Sequence, residues 1–252
     1  MMSATRAARV TALVTGLDTD LGAAVARRLT ADGARVVGQH RQGAGPVDVT
    51  DLSAAVAADP SDPASVEAAV ERAAALLGGL DILAVCHARP SQAPLPGLLP
   101  EEFWAQVDDT LTGSFLFARA AAPHLARDGG GRIVLTASMW HIGGAGLAAV
   151  AAAAGGIIAL TKTLTRDLGP LGIGVNAIVP GLVAGPWLAC DAAGLGTDGA
   201  TLRDHPERFV PTGRLGSADQ VAATVAVLAD NRLKAAVGQS INVNGGYLRT
   251  RT

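Results

Sequence analysis

Short apolar runs alternate with longer alanine-rich segments along most of the chain. The runs have the length of strands, and some, such as Ile133-Val-Leu-Thr136, are apolar throughout. Strands with this pattern are buried on both faces, as in a parallel sheet covered by helices. The predicted strands are 10–15, 34–38, 81–86, 132–137, 174–178 and 240–243, and the predicted helices are 21–32, 64–77, 101–126, 147–168 and 217–230. This order predicts an α/β fold with a doubly wound parallel sheet and helices on both faces.

Two local signals refine this picture. Ser217, followed three residues later by Gln220, predicts a helix start at which the two side chains cap each other's backbone amides. The segment 180–211 is rich in Gly and Pro and is predicted as a loop region. Ligands of doubly wound sheets bind beyond the carboxyl ends of the strands. The informative loops are therefore those after Thr15, Gly38, Cys86, Ala137 and Ile178.

Composition and charge exclude several classes of protein. The chain has 22 acidic and 20 basic residues, a net charge of -2, and no Lys/Arg run of the kind that binds nucleic acid. Cys86 and Cys190 lack CxxC spacing, so we expect no metal site and a cytoplasmic location. The segment Gly143 to Leu160 carries no charge over 18 residues, but it is mostly Ala and Gly, which argues against a membrane span.

The first predicted turn, Thr15-Gly-Leu-Asp-Thr-Asp-Leu-Gly22, joins a strand to a helix. It resembles the TGxxxGxG turn of the short-chain dehydrogenase/reductase family, with Gly16 and Gly22 as the outer glycines and Asp20 in place of the middle one. The missing Cβ of a glycine lets a pyrophosphate approach the helix N-terminus. Asp20 fills that space with negative charge, and we expect it to cap the helix itself.

Further segments carry the resemblance from Val10 to Tyr247. They are 34–41 for the second strand, Asp59-Pro-Ser-Asp62 for the DxxD motif, 132–138 for the strand before the catalytic serine, 176–181 for NxxxPG and 238–246 for the closing strand. Their common order identifies the chain as a member of this family. The resemblance implies a single Rossmann-type domain over residues 1–252, similar to the 3-oxoacyl reductases.

Intact members of the family use an Asn-Ser-Tyr-Lys tetrad to exchange a proton with a carbonyl or alcohol oxygen. Aligned on its surroundings, this chain keeps Ser138 but has Thr110 at the Asn position, Val150 at the Tyr position and Ala154 at the Lys position. Neither Val nor Ala can move a proton. The resemblance therefore implies a degenerate member that lacks the Tyr/Lys pair.

A shifted alignment does not restore the pair. Tyr247 is the one tyrosine of the chain, and Lys162 and Lys234 are its two lysines. Lys162 lies eight residues beyond Ala154, which is about 12 Å along a helix. No register of this segment produces YxxxK.

Two histidines are further candidates for chemistry. His141 follows Ser138 by three residues, and His87 follows the central strand. Either could act as a base, while His87 could instead fill cofactor space. The predicted substrate pocket consists of Ser138, Trp140, His141, Val150, Gly181 and Trp187.

The expected cofactor site is vestigial. By the resemblance it consists of Gly16, Asp20, Gly22, Arg41 and Asp59. Arg41 takes the position from which NADP-preferring members contact the 2'-phosphate, for which a guanidinium is suited. Because Asp20 opposes the pyrophosphate, we expect no bound cofactor, with weak NADP(H) binding as the alternative.

Three functions fit these features. The first is a non-catalytic subunit that pairs with an intact short-chain dehydrogenase or ketoreductase. The second is a redox-neutral enzyme, such as a cyclase or dehydratase, that reuses the substrate pocket. The third is a protein that senses a small metabolite or nucleotide without chemistry. The resemblance also implies a homo- or hetero-oligomer formed through the helices at 101–126 and 147–168.

Overall fold

Seven parallel strands form one sheet in this computed structural model, which describes residues 10–45, 47–127 and 130–247. The strands are β1 Thr11–Val14, β2 Arg35–His40, β3 Ala54–Ala57, β4 Ile82–Ala84, β5 Arg132–Thr136, β6 Gly174–Pro180 and β7 Ser240–Val243. Their order across the sheet is β3-β2-β1-β4-β5-β6-β7. The chain reverses direction across the sheet between β1 and β4, which is where such folds bind ligands. The predicted doubly wound sheet is confirmed.

Helices cover both faces of the sheet. They are α1 Asp20–Ala31, α2 Pro63–Leu77, α3 Pro100–Val107, α4 Gly113–Leu125, α5 Ala148–Leu168, α6 Leu188–Gly194, α7 Gly199–Asp204 and α8 Ala218–Leu228. One face carries α1 and α8, which pack against each other, and the other carries α2, α4 and α5. Each face has its own apolar cluster, around Val14 and Val25 on the first and around Leu83 and Phe117 on the second.

The longest helix, α5, is apolar enough, together with the turn after it, to meet a length and composition test for a membrane span. In this fold one side of α5 is buried through residues such as Val150, Ile157 and Leu164. The helix packs against β6 and α3. Burial of one side of α5 in the fold therefore accounts for its apolar composition.

The structure corrects three local predictions. The strand β3 has no counterpart among the predicted strands, because Ala-Ala-Val-Ala is a weak strand sequence that pairs only at the sheet edge with β2. The region 180–211 is not all loop, since α6 and α7 lie in it. The predicted helix 101–126 is divided by a π-helical turn, Asp108–Thr112, which the apolar pattern does not reveal.

Capping at the helix starts was predicted correctly at one place and wrongly at another. Ser217 and Gln220 form the expected reciprocal cap of α8. At α1 the N-cap is Thr19, whose hydroxyl accepts a hydrogen bond from the Gly22 amide at 3.0 Å. Asp20 is the first residue of the helix instead, so the expectation that it is the cap is wrong.

The two glycines kept in the first turn are required by backbone packing. Gly16 has φ +75°, and a Cβ there would lie 2.6 Å from the Cys86 carbonyl oxygen. A Cβ on Gly22 would lie 2.1 Å from the Gly16 carbonyl oxygen. Both contacts are with backbone atoms of the fold, so these glycines are explained without a bound dinucleotide.

We expect Gly22→Ala to destabilise the protein by about 2 to 3 kcal/mol, because the added methyl meets backbone that cannot rotate away. Gly199→Ala is the matched control, since a Cβ at the start of α7 meets no atom within 4 Å. Urea unfolding at one protein concentration measures both. Equal midpoints for the two variants would contradict this account of the turn.

Candidate functional site

A cavity of about 360 Å³ opens at the carboxyl edge of the sheet. Its wall includes the first turn, the ends of β5 and β6, the start of α5 and the loop that leads into α6. The wall contains Ser138, Trp140, Val150, Gly181 and Trp187 of the predicted pocket, together with Thr110 and Ala154. The fold therefore brings together the residues that the sequence assigned to the substrate pocket, with the exception of His141.

The His141 side chain bonds to the backbone of its own helical turn. Its Nδ1 donates a hydrogen bond to the Ser138 carbonyl oxygen at 2.9 Å, and it is absent from the cavity wall. Ser138 is the N-cap of the short 3-10 helix Met139–Ile142, which contains His141, and the Ser138 hydroxyl oxygen accepts from the Trp140 amide at 3.2 Å. The serine and the histidine thus share a turn but face different surroundings, and their catalytic roles stay predictions.

His87 is buried and lies outside the cavity wall. The Thr15 hydroxyl accepts from the Cys86 amide and donates to Nδ1 of His87 at 2.9 Å, while Nε2 donates to the Asp109 carbonyl oxygen at 2.8 Å. Burial lowers the pKa of His87 to about 4, so the ring is neutral at physiological pH. It connects the end of β1 to the π-helical turn, and its two predicted roles, as a base or as a side chain that fills cofactor space, stay predictions.

An ion-pair cluster of Asp18, Arg41, Arg89 and Asp109 lies beside the cavity. Arg89 Nη2 is 2.5 Å from Asp18 Oδ2, and Arg41 Nη1 is 3.7 Å from the same oxygen. Arg41 Nη2 bonds to the Asp109 carboxylate and donates to the His87 carbonyl oxygen at 2.7 Å. The Arg41 side chain is only 17% exposed. The guanidinium predicted to bind a 2'-phosphate is therefore engaged by two carboxylates of its own chain.

Asp20 and Asp59 have different surroundings. Asp20 is exposed and on the cavity wall, where a ligand-facing glycine was expected from the family turn. Asp59 accepts hydrogen bonds from the Ser61 amide and hydroxyl, which lower its pKa, and it is not part of the cavity wall. Of these two, only Asp20 places charge inside the cavity.

The π-helical turn sets the position of Thr110. Gln106 Nε2 donates to the Thr110 hydroxyl oxygen at 2.9 Å, and the Ser114 hydroxyl donates to the Thr110 carbonyl oxygen at 2.6 Å. Thr110 is buried and its side chain is on the cavity wall. On α5, which packs against this turn, Val150 and Ala154 contribute only apolar surface to the wall.

Asp191 is an ionisable residue of the cavity wall that sequence reasoning missed, as is Arg89. Trp140 Nε1 donates a hydrogen bond to Asp191 Oδ1 at 2.8 Å. Burial raises the pKa of Asp191 to about 6, and the Trp140 bond opposes that rise. The residue lies on α6, inside the segment predicted as a loop. A lone acid within the apolar stretch Trp187-Leu-Ala-Cys-Asp191 was the available signal.

Neither cysteine is an activated nucleophile. Burial raises the pKa of Cys86 to about 12 and that of Cys190 to about 11. Both thiols are therefore protonated at neutral pH. Within residues 10–45, 47–127 and 130–247, no group of three His, Cys, Asp or Glu side chains could hold a metal ion.

Comparisons with known proteins cover nearly the whole chain. The family model described as enoyl-(acyl carrier protein) reductase matches residues 16–248. The chain is 33% identical over 248 residues to the short-chain reductase protein NovJ of Streptomyces niveus, covering 93% of this chain and 92% of the relative. It is 32% identical over 246 residues to the 3-oxoacyl-[acyl-carrier-protein] reductase FabG of Salmonella typhimurium, covering 93% and 96%.

A solved structure agrees with these relatives. A dehydrogenase/reductase from Sinorhizobium meliloti 1021 superposes with a TM-score of 0.81 at 30% sequence identity, covering 95% of each chain. The likeness in sequence and in structure thus extends over more than nine tenths of the chain.

His87→Gln is expected to reduce the acid sensitivity of the protein. Because the pKa of His87 is about 4 in the folded state and near 6.5 when unfolded, the unfolded chain binds more protons between these values. The contribution of the neutral ring to the free energy of unfolding is fully present above pH 6.5. It decreases by about 3 kcal/mol as the pH falls to 4. Gln offers a donor and an acceptor but does not titrate.

The measurement is urea unfolding of both proteins at several pH values between 4 and 7.5. The difference in unfolding free energy between wild type and His87→Gln should change across this range. Parallel curves would mean that burial does not hold the ring neutral.

Proposed function

Since the chain belongs to the short-chain dehydrogenase/reductase family, we propose that it is a non-catalytic subunit paired with an intact dehydrogenase or ketoreductase of the same family. One observation carries the proposal: the cavity wall has Val150 and Ala154 where the family's proton-transferring Tyr and Lys are expected. The fold is retained in full, so the loss is confined to the chemistry. This combination is what a partner subunit requires.

Carbonyl reduction needs a proton donor at the oxygen that receives the electrons. Val150 and Ala154 cannot supply one. Tyr247 packs against the apolar cluster that includes Phe117, and Lys162 is exposed on α5. The described side chains of the cavity therefore lack the Tyr/Lys pair, and the chain alone is proposed not to reduce carbonyl compounds by the family route.

Weak NADP(H) binding belongs to the same proposal. Asp20 is on the cavity wall at the first residue of α1, where a dinucleotide pyrophosphate meets the helix N-terminus. Asp18 adds a second carboxylate to the turn, although Arg89 and Arg41 are beside it. Arg41 would have to leave Asp109 to bind a 2'-phosphate. Repulsion by the two carboxylates and the loss of the Arg41–Asp109 ion pair weaken NADP(H) binding, while the cavity stays open.

The proposed surface for the partner is formed by α3, α4 and α5. Trp104 is 58% exposed and Phe115 is 39% exposed, which is unusual for large apolar side chains. On α5 the exposed residues Ala152 and Ala159 are small and permit close helix approach. An intact cytoplasmic reductase of the same fold presents matching helices and is the proposed occupant.

A redox-neutral enzyme is the second candidate, favoured by Asp191. A carboxyl group whose pKa is about 6 can exchange a proton near neutral pH. Ser138 and Thr110 are on the same cavity wall and could orient a substrate oxygen. Turnover of a substrate by the isolated chain, abolished by Asp191→Asn, would favour this candidate over the partner subunit.

NADPH is expected to bind the isolated chain weakly, with a dissociation constant above about 100 μM. Asp20→Gly should tighten binding at least tenfold, since it removes both the charge and the Cβ beside the pyrophosphate. Asp20→Asn is the matched variant that removes the charge alone, and calorimetry measures all three. Micromolar binding by the wild type, or no gain in Asp20→Gly, would contradict the proposed role of Asp20.

The partner proposal is tested by co-expression with reductases of the host that retain both TGxxxGxG and YxxxK. We expect one of them to form a stoichiometric complex with this chain and to turn over a 3-oxoacyl thioester faster than it does alone. Phe115→Glu should weaken that complex at least tenfold, because it places a charge in the apolar surface. Val227→Glu is the control, since Val227 is 56% exposed on the opposite face of the sheet.

Two results would overturn the proposal. One is NADPH-dependent carbonyl reduction by the isolated chain at a rate typical of the family. The other is that every such reductase elutes separately from this chain in size-exclusion chromatography and turns over the 3-oxoacyl thioester at the same rate with and without it.

A further inference from the structure

The cavity wall carries an excess of negative charge. Its ionisable residues are Asp18, Asp20, Asp191 and Arg89. Arg89 is bound to Asp18 at 2.5 Å, which leaves Asp20 and Asp191 without a cation among the described residues of the wall. A ligand that enters this cavity therefore meets two uncompensated carboxylates.

Asp191 has an oxygen free for a ligand. Trp140 holds Oδ1, whereas Oδ2 has no hydrogen bond among the described residues and is not enclosed by protein. Burial disfavours the charged form of this carboxyl group and raises its pKa to about 6. A cation placed against Oδ2 would reverse that penalty, because opposite charges attract strongly where water is excluded.

The surroundings of Asp191 suit the apolar part of a cationic molecule. Trp140 and Trp187, two of the three tryptophans of the chain, are on the wall, and Val150 and Ala154 form its apolar side. Aromatic rings and a carboxylate together bind organic ammonium groups. The Thr110 hydroxyl, which accepts from Gln106, has no acceptor for its own proton among the described residues and can donate to a polar substituent.

We propose that the cavity binds a small organic amine in its ammonium form, with the charged nitrogen against Asp191 and an apolar or aromatic group against Trp187 and Val150. Asp20, on the same wall, adds favourable charge. The same two carboxylates repel anionic ligands, including phosphorylated ones. This inference does not rest on the partner-subunit proposal, because it concerns the cavity of the single chain.

Three probes of similar shape and different charge test the inference on the purified full chain. They are 2-phenylethylammonium, 2-phenylethanol and 3-phenylpropanoate. At pH 7.5, calorimetry should detect binding of the ammonium ion at least tenfold tighter than that of the alcohol, and no binding of the carboxylate up to about 10 mM.

Variants of single carboxylates identify the counter-ion. Asp191→Asn should weaken binding of the ammonium ion at least tenfold while leaving the affinity for the alcohol within about twofold of the wild type. The Asn side-chain oxygen can still accept a hydrogen bond from Trp140. Asp20→Asn should weaken it by a smaller factor. The control is Asp204→Asn, an exposed carboxylate at the end of α7 and away from the cavity wall.

A pH profile provides an independent readout. Binding of the ammonium ion should fall about tenfold between pH 7.5 and pH 5, as Asp191 takes up a proton. The neighbouring Cys190 stays protonated over this range, since its pKa is about 11. The remaining charged groups of the wall are Asp18, Asp20 and Arg89, so the profile is repeated with Asp20→Asn to separate its contribution.

The inference is overturned by equal or tighter binding of the carboxylate probe, by no binding of the ammonium ion up to about 10 mM, or by an unchanged affinity in Asp191→Asn. These results concern ligand binding by one chain. Failure of the partner proposal is instead read from complex formation and reductase rate, so the two failures are distinguishable.

Discussion

Burial of the parallel sheet on both faces is the constraint on which the rest of the structure depends. The strands are apolar along most of their length because α1 and α8 cover one face and α2, α4 and α5 cover the other. Polar side chains buried within the sheet must then find hydrogen-bond partners, as Asn176 of β6 does with the backbone of Ala236 and Gln239. The strand order reverses between β1 and β4, and this reversal places the first turn, His87 and the π-helical turn together at the carboxyl edge of the sheet. The cavity is a consequence of this arrangement.

Charged side chains pair with one another at that edge. Asp18, Arg41, Arg89 and Asp109 neutralise one another and tie the first turn to β2, to the segment after β4 and to the π-helical turn. His87 adds two hydrogen bonds between the same elements and is neutral because of burial. Breaking a partly buried ion pair of this kind is costly, because the remaining charge is left without a partner. The edge is therefore held together by the chain's own groups.

The two proposals use different parts of the molecule. The partner proposal depends on the retained fold, on the exposed apolar residues of α3 and α4 and on the assignment of Val150 and Ala154 to the Tyr and Lys positions of the family. The ligand inference depends on Asp20, Asp191 and the tryptophans of the cavity wall. Both agree with a chain that has the architecture of a reductase family and a cavity wall with more acidic than basic residues. A subunit that binds an amine without changing its oxidation state could present or sense that ligand within a complex.

The sequence by itself determined the fold class, most element positions and several of the residues that meet in the cavity. It could do so because two-sided burial leaves continuous apolar strands, and because Ser138, Val150, Gly181 and Trp187 occupy ordered segments of a recognisable family. Only the tertiary structure decided the roles of polar side chains whose partners are distant in the chain. Arg41 meets Asp109, 68 residues away, and Trp140 meets Asp191, 51 residues away. No local pattern encodes such pairs, because burial and charge compensation arise only when the loops converge at one sheet edge.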